Sequence, residues 1–175
     1  MTTLYTLGHS TRSFDELLAL LRENGVARLL DVRTVPRSRH NPQFNTEVLA
    51  TSLAQAGLGY THRRDLGGLR KPRKDSPNQG WKNASFRGYA DYMQTEEFAS
   101  ALQELLVEAE REPVAIMCAE ALPWRCHRSL ISDALTVRGA QVRHIMGPGK
   151  QKAHVLTRFA QVDGLRIVYP FALEA

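Results

Sequence analysis

The sequence predicts an α/β fold: one three-layer domain with a mostly parallel central sheet, Rossmann-like or flavodoxin-like. Three observations carry the prediction. Leu4-Tyr5-Thr6-Leu7, an amphipathic segment and the apolar run Val26–Val32 succeed one another as strand, helix and strand. The run from Val114 to Glu120, a Pro-bearing loop and another amphipathic segment repeat that order later in the chain. The 175 residues hold no internal repeat, linker or low-complexity tract, so both units belong to one domain, residues 1–175. Parallel strands need crossover connections, and these are right-handed.

Each element has its own signal. The first strand ends at Gly8-His9-Ser10. Ser13, with Glu16 three residues on, forms a capping box for a helix carrying Phe14, Leu17, Leu18, Leu20 and Leu21. Asn24-Gly25 stops it. The second strand ends at Asp31-Val32-Arg33, and a loop follows from Thr34 to Asn45. Thr46 is expected to cap a helix through Val48, Leu49 and Leu53, closed by Gly57. Leu58–His62 reads as a third strand. Residues 63–88 read as a long irregular loop, basic in its first half and punctuated by Trp81 and Phe86. A loop of that length in a compact domain is a lid, a binding loop or disordered. Residues 89–110 are helical, with a break and a new cap at Thr95. After Val114–Glu120, the helix containing Leu130, Ile131, Ala134 and Leu135 stops at Gly139. Gln141–Ile145 is a strand, and Gly147-Pro148-Gly149 a turn. A short helix over 155–160 and a last strand, Leu165–Tyr169, complete the expectation.

Composition sets the class. With 43% hydrophobic and 23% charged residues, the chain can bury an ordinary core. No window is apolar enough to span a bilayer, and no secretory signal is seen, so a cytoplasmic location is expected, with both cysteines reduced. A net charge of +5 favours an anionic partner, nucleic acid among the candidates. Oligomeric state is left open.

Chemistry-bearing residues gather where strands end, which is where open α/β sheets bind ligands. His9 and Glu120 are the acid/base candidates, and Cys118 or Cys126 the candidate nucleophile. The alternative for Cys118 is a buried core thiol. Cys126 precedes a helix beside Arg125 and Arg128, a setting that lowers a thiol pKa. Ser10, Asp31, Arg33, Arg37, Arg39, Arg125, His127 and Arg128 are the candidate ligand-binding residues, because arginine forks suit phosphate. For Arg33 the alternative is a buried ion pair with Asp31 or Glu120. Asp31 and Glu120 could also form a working carboxylate pair. Cysteine-dependent phosphatases and rhodaneses cradle an oxyanion in a cysteine-to-arginine loop. The loop from Cys118 to Arg125 lacks glycine and carries Glu120, and both features weigh against such a cradle. No ligand spacing among Cys118, Cys126, His127, His9 and His144 assigns a metal, and no cofactor is indicated.

The motifs Gly8-His9-Ser10, Asp31-Val32-Arg33, Pro36-x-Ser38-Arg39 with Phe44, Leu66-Gly67-Gly68, Met117-Cys118-Ala119-Glu120, Cys126-His127-Arg128, His144-Ile145 and His154-x-Leu156-Thr157 resemble the bacterial and archaeal domain of unknown function 488 family. The resemblance covers nearly the whole chain. It implies that these polar residues form one site, and it implies no substrate. The expectation is therefore a basic pocket that binds a phosphate-bearing ligand, such as a nucleotide or nucleic acid, with turnover left open. Two other functions fit the same residues: a non-catalytic nucleic-acid-binding module, and a thiol-based redox or sulfur-transfer protein.

Overall fold

The computed structural model describes residues 1–171. Six strands form the main sheet: β1 (Thr3–Gly8), β2 (Arg28–Asp31), β3 (Gly59–His62), β4 (Val114–Cys118), β5 (Gln141–Gly147) and β6 (Lys150–Ala153). Their order is β3-β2-β4-β1-β5-β6, parallel except for the β5–β6 hairpin. This is the three-layer α/β architecture expected from the sequence.

Helices α1 (Phe14–Glu23) and α2 (Thr46–Gln55) cover one face. Their Leu17, Leu20, Leu21, Leu49 and Leu53 pack on Leu7, Leu29, Ala115 and Met117. Helices α3 (Ala84–Tyr92), α4 (Glu96–Arg111) and α5 (Arg128–Val137) cover the other, packing on Leu4, Leu30 and Ile116. Strand residues alternate between the two cores, and β4 is buried from end to end. The connections leaving β1 and β2 thus run to one face and the one leaving β4 to the other. A crevice opens between them at the carboxyl ends.

Local chemistry explains most boundaries. Both halves of the Ser13 box form: Ser13 Oγ accepts from the Glu16 amide at 3.1 Å, and Glu16 Oε1 from the Ser13 amide at 3.0 Å. Thr95 Oγ1 accepts from the Phe98 amide and starts α4 at the expected break. The cap position of α2 falls one residue early, at Asn45. Thr46 is the first helical residue, and its hydroxyl meets Tyr60 Oη at 2.8 Å instead.

Three expectations are corrected. Residues 63–88 are not one irregular loop, since a 3-10 turn occupies Arg64–Leu66 and α3 begins at Ala84. The segment between is pinned by buried Asp91, which accepts from Ser76 Oγ, Asn78 Nδ2 and the Arg73 amide. Trp81 packs edge-on against Phe86 and Phe159. The helix expected over 155–160 does not form. Lys150–Ala153 instead extends the sheet as β6, and the backbone beyond it is tied to α5, where the Thr157 amide donates to Asp133. The last strand, β8 (Arg166–Val168), pairs with β7 (Gln161–Asp163) in a separate hairpin outside the sheet.

Candidate functional site

Because β2, β4 and β1 are neighbours, their expected carboxyl ends lie side by side. Ladder bonds continue past the strands: the His9 amide donates to Cys118 O, that of Ser10 to Ala119 O and that of Val32 to Met117 O. The loop after β4 crosses directly over β1. A Cβ on Gly8 would stand 1.7 Å from the Glu120 carbonyl oxygen, so only glycine fits there. Ser10 turns away with φ 49°, a strained left-handed conformation for a residue with a side chain.

The Asp31–Arg33 corner is a closed network. Arg33 Nε and Nη2 grip Asp31 at 2.9 and 2.7 Å, and Nη2 also donates to the Phe44 carbonyl. Tyr60 Oη and the Arg33 amide donate to the same carboxylate. Asp31 is therefore committed, and it forms no working pair with Glu120, which is solvent-exposed. His9 Nδ1–H donates to the Ser10 carbonyl, which leaves Nε2 to accept from Arg33 Nη1 at 3.3 Å. Burial is the main cause of a His9 pKa below the ordinary value, and the Arg33 charge adds to it.

On the other side of the β4 loop lies a cavity of about 450 Å³. Cys118, Cys126, His127, Arg125, Glu120 and Arg33 line it, with Val35, Leu69 and Phe86 as apolar wall. Cys118 Sγ lies 3.5 Å from the Glu120 carbonyl and Cys126 Sγ 3.4 Å from His127 Nδ1; both thiols line this one cavity and are not joined. Burial raises the Cys118 pKa, but the Cys126 S–H bond and the Arg128 guanidinium outweigh it, leaving Cys118 below the ordinary thiol value. The same bond, together with burial, raises Cys126 far above it. Of the two, Cys118 is the more acidic thiol and Cys126 the less acidic.

Arg128 acts on both thiols in the same direction, lowering the pKa of each. Its side chain is fully buried. Nη2 donates to the carbonyls of Glu120 and Ala121, at 3.1 and 3.2 Å, and so holds the loop from beneath. Nε and Nη1 have no hydrogen-bond partner, and among the described residues no carboxylate pairs with this guanidinium. A buried cation is costly unless an anion balances it. The nearby anionisable groups are the two thiols, and the Arg128 charge favours the ionised form of each.

His127 stands at the wall. Nε2–H donates to the Val32 carbonyl at 3.0 Å, so Nδ1 is bare and meets Cys126 Sγ at 3.4 Å. Burial above all lowers the His127 pKa to about 4, and the ring is neutral near pH 7. Gly68 makes room for it: a Cβ there would lie 2.6 Å from Nδ1. That accounts for the second glycine of Leu66-Gly67-Gly68.

The expected single pocket is divided. His9, Ser10 and Arg37 line a second cavity of about 430 Å³, which shares Arg33, Ala119 and Glu120 with the first. Arg37 is exposed and paired with Glu47. Arg39 is exposed and lines neither cavity, and Arg125 is exposed on the rim of the thiol cavity. Half of the basic loop is spent on internal contacts, while Arg64, Lys71 and Lys74 are exposed and form no ion pair among the described residues. Arg63 is paired with Asp65 and Glu104, Arg73 with Asp75, and Arg70 stacks on Tyr92 at 3.6 Å. Among the described residues no group of three or more His, Cys, Asp or Glu is placed to hold a metal ion. No helix there is long and apolar enough to cross a membrane.

Sequence reasoning missed a buried chain of five side chains behind α5. Thr6 Oγ1 meets His144 Nδ1 at 2.6 Å, His144 Nε2 meets His154 Nδ1 at 2.9 Å, and His154 Nε2 meets Asp133 Oδ1 at 2.7 Å. Tyr169 Oη donates to Asp133 Oδ2. The Asp133 end sets every proton: His154 donates to Asp133, His144 to His154 and Thr6 to His144. The motif residues His144 and His154, and an aspartate inside the apolar stripe of α5, were the available signals.

No curated protein and no solved structure matches the chain. One family model does, over residues 13–135, well over half of the length. The matched span carries the Asp31–Arg33 corner, both cysteines, His127 and Arg128. On that match the chain belongs to the family described as Domain of unknown function DUF488.

Proposed function

We propose that the protein is a thiol-dependent enzyme, with Cys118 the nucleophile toward the sulfur of a small disulfide or persulfide. The carrying observation is the buried, carboxylate-free Arg128, whose amide donates to Cys126 Sγ, beside two free thiols that line one cavity. The pair divides the labour of an exchange reaction. The Cys118 thiolate attacks one substrate sulfur; that bond forms as the substrate S–S bond breaks, and the departing thiolate takes a proton from solvent. Cys126 then loses its proton to solvent. Its thiolate attacks the Cys118 sulfur and expels the second substrate thiol. The substrate disulfide is reduced to two thiols, and the protein dithiol is oxidised to a Cys118–Cys126 disulfide. A small thiol or dithiol resets it. The cavity volume suits a small molecule, and Arg125 at the rim suits one bearing an anionic group.

This choice takes the thiol reading above the phosphate pocket, because Arg33 and Arg37 are already neutralised by Asp31 and Glu47. A nucleic-acid-binding module would draw on the net charge of +5, with Arg63, Arg70 and Arg73 of the basic loop already occupied and Arg64, Lys71 and Lys74 left for phosphates.

A chromophoric aromatic disulfide tests the proposal. The native protein should react rapidly at Cys118 and release two thiols per chain, while Cys126→Ser should stop at a stable mixed disulfide on Cys118. Reaction only after unfolding, or equal rates at both cysteines, would overturn it.

A further inference from the structure

A third cavity, of about 410 Å³, shares no lining residue with the thiol cavity. Its floor is the His144–His154 pair, and its walls carry Trp81, Trp124, Lys152 and Arg158. We propose that this cavity is a separate binding site for a nucleotide unit: an aromatic ring joined to an anionic group.

Four observations support it. First, the charge is one-sided. Lys152 and Arg158 are exposed, form no ion pair among the described residues, and none of the cavity's lining residues is acidic. A concave surface with cations and no carboxylate selects anions. Second, the aromatic wall is open. Trp124 is 52% exposed, although a large apolar ring gains by being covered. Lys152 Nζ lies 5.3 Å from its ring centroid, so the cation is held at the edge of the stacking surface. A ring on Trp124 would carry its anionic substituent to that ammonium. Third, Trp81 Nε1–H is buried without an acceptor. Orphaned donors are rare, and this one belongs to a residue of the cavity wall; since Nε1 has no exposed surface, an acceptor on a ligand would reach it only as the indole shifts. Fourth, the floor is rigid. Both nitrogens of His144 and both of His154 are already engaged, so the histidines shape the cavity and do no proton transfer on its contents.

The size fits a mononucleotide and excludes a folded partner. A base could equally come from a free nucleotide or from a single strand threading past, since stacking and one phosphate contact are common to both.

Calorimetric titration of the full chain with adenosine 5′-monophosphate tests the site, with adenosine and inorganic phosphate titrated separately. Trp124→Ala and Lys152→Ala alter exposed side chains, and Trp81→Phe keeps the packing ring while removing the donor. Expected are measurable binding of the monophosphate, weaker binding of each half, and about tenfold loss in each of the two exposed-residue variants, with a smaller loss in Trp81→Phe. Both exposed-residue variants should still react with the aromatic disulfide at Cys118, which separates this site from the thiol chemistry. Competition by a short oligoadenylate would assign the nucleotide unit to a strand, and its failure to compete would assign it to a free ligand. No heat with the monophosphate at millimolar concentration, or the same affinity in Trp124→Ala and Lys152→Ala, would overturn the proposal.

Discussion

Arg33 and Arg128 are both buried at the carboxyl end of the same sheet, 7% and 0% exposed, but their surroundings differ. Arg33 faces a carboxylate that receives it bidentately, and a tyrosine and a backbone amide complete that carboxylate. Arg128 faces two carbonyls and leaves two of its donor nitrogens unused. A satisfied ion pair is architecture: it fixes the loop after β2 and has no charge left to lend. A buried cation without a carboxylate must act on whatever can become an anion nearby, and here that is a thiol. The contrast separates structure from chemistry within one cluster of motif residues.

The largest effect should come from breaking the satisfied corner. Arg33→Met strands Asp31 in the interior and should cost about 3–5 kcal/mol of stability. Arg128→Met removes two bonds to carbonyls and strands no carboxylate, so it should cost only about 1–2 kcal/mol. Denaturant unfolding of the two variants decides the matter, and a greater loss for Arg128 would reverse the comparison.

Next comes the loop that Arg128 supports. Gly8→Ala drives a methyl group into the Glu120 carbonyl, and about 1–3 kcal/mol is expected from the overpacking. The displaced loop should also slow alkylation of Cys118. Unchanged stability in this variant would mean that the loop does not press on β1 as described.

Acid should weaken the fold in a definite window. Burial first, and then the charges of His154 and Arg128, lower the His144 pKa to about 3, against 6.5 unperturbed. The unfolded chain therefore binds a proton that the folded chain refuses. Stability is complete above pH 6.5 and falls as pH drops from there toward 3, with about 2 kcal/mol lost by pH 5 from His144 alone. His127 acts in the same direction. Unfolding midpoints that do not move between pH 7.5 and pH 5 would contradict the burial of these rings.

The smallest effect should be Tyr60→Phe, which removes one donor from Asp31 and leaves Arg33 in place, costing about 1 kcal/mol. Cys118 alkylation should be unaffected, because this corner lends no charge to the thiols. A slowed thiol would show that the two arginines are coupled.

The sequence revealed the frame well because the frame is written in local signals. Ser13 with Glu16, Thr95 and the apolar runs of β1, β2 and β4 each act over a few residues, and the strand ends followed from their order. The site was half legible. The residue types and the sheet edge were readable, but whether Arg33 or Arg128 meets a carboxylate depends on side-chain direction, which no spacing encodes. Residues 155–160 failed for the opposite reason. Their composition suits a helix, but the Thr157 amide is taken by Asp133 and the chain closes only a single turn, from Ala160 back to Thr157. The His144–His154–Asp133 chain joins residues from β5, the segment after β6 and α5, and nothing local announces it.

The pH dependence of Cys118 alkylation by iodoacetamide, in the native protein and in Arg128→Met, tests the central claim most directly. The account predicts that the native rate inflects below the ordinary thiol pKa and that the variant moves the inflection upward, with Cys118 identified as the modified site by peptide mass. An inflection at or above the ordinary value in the native protein, or one that Arg128→Met leaves in place, would contradict it.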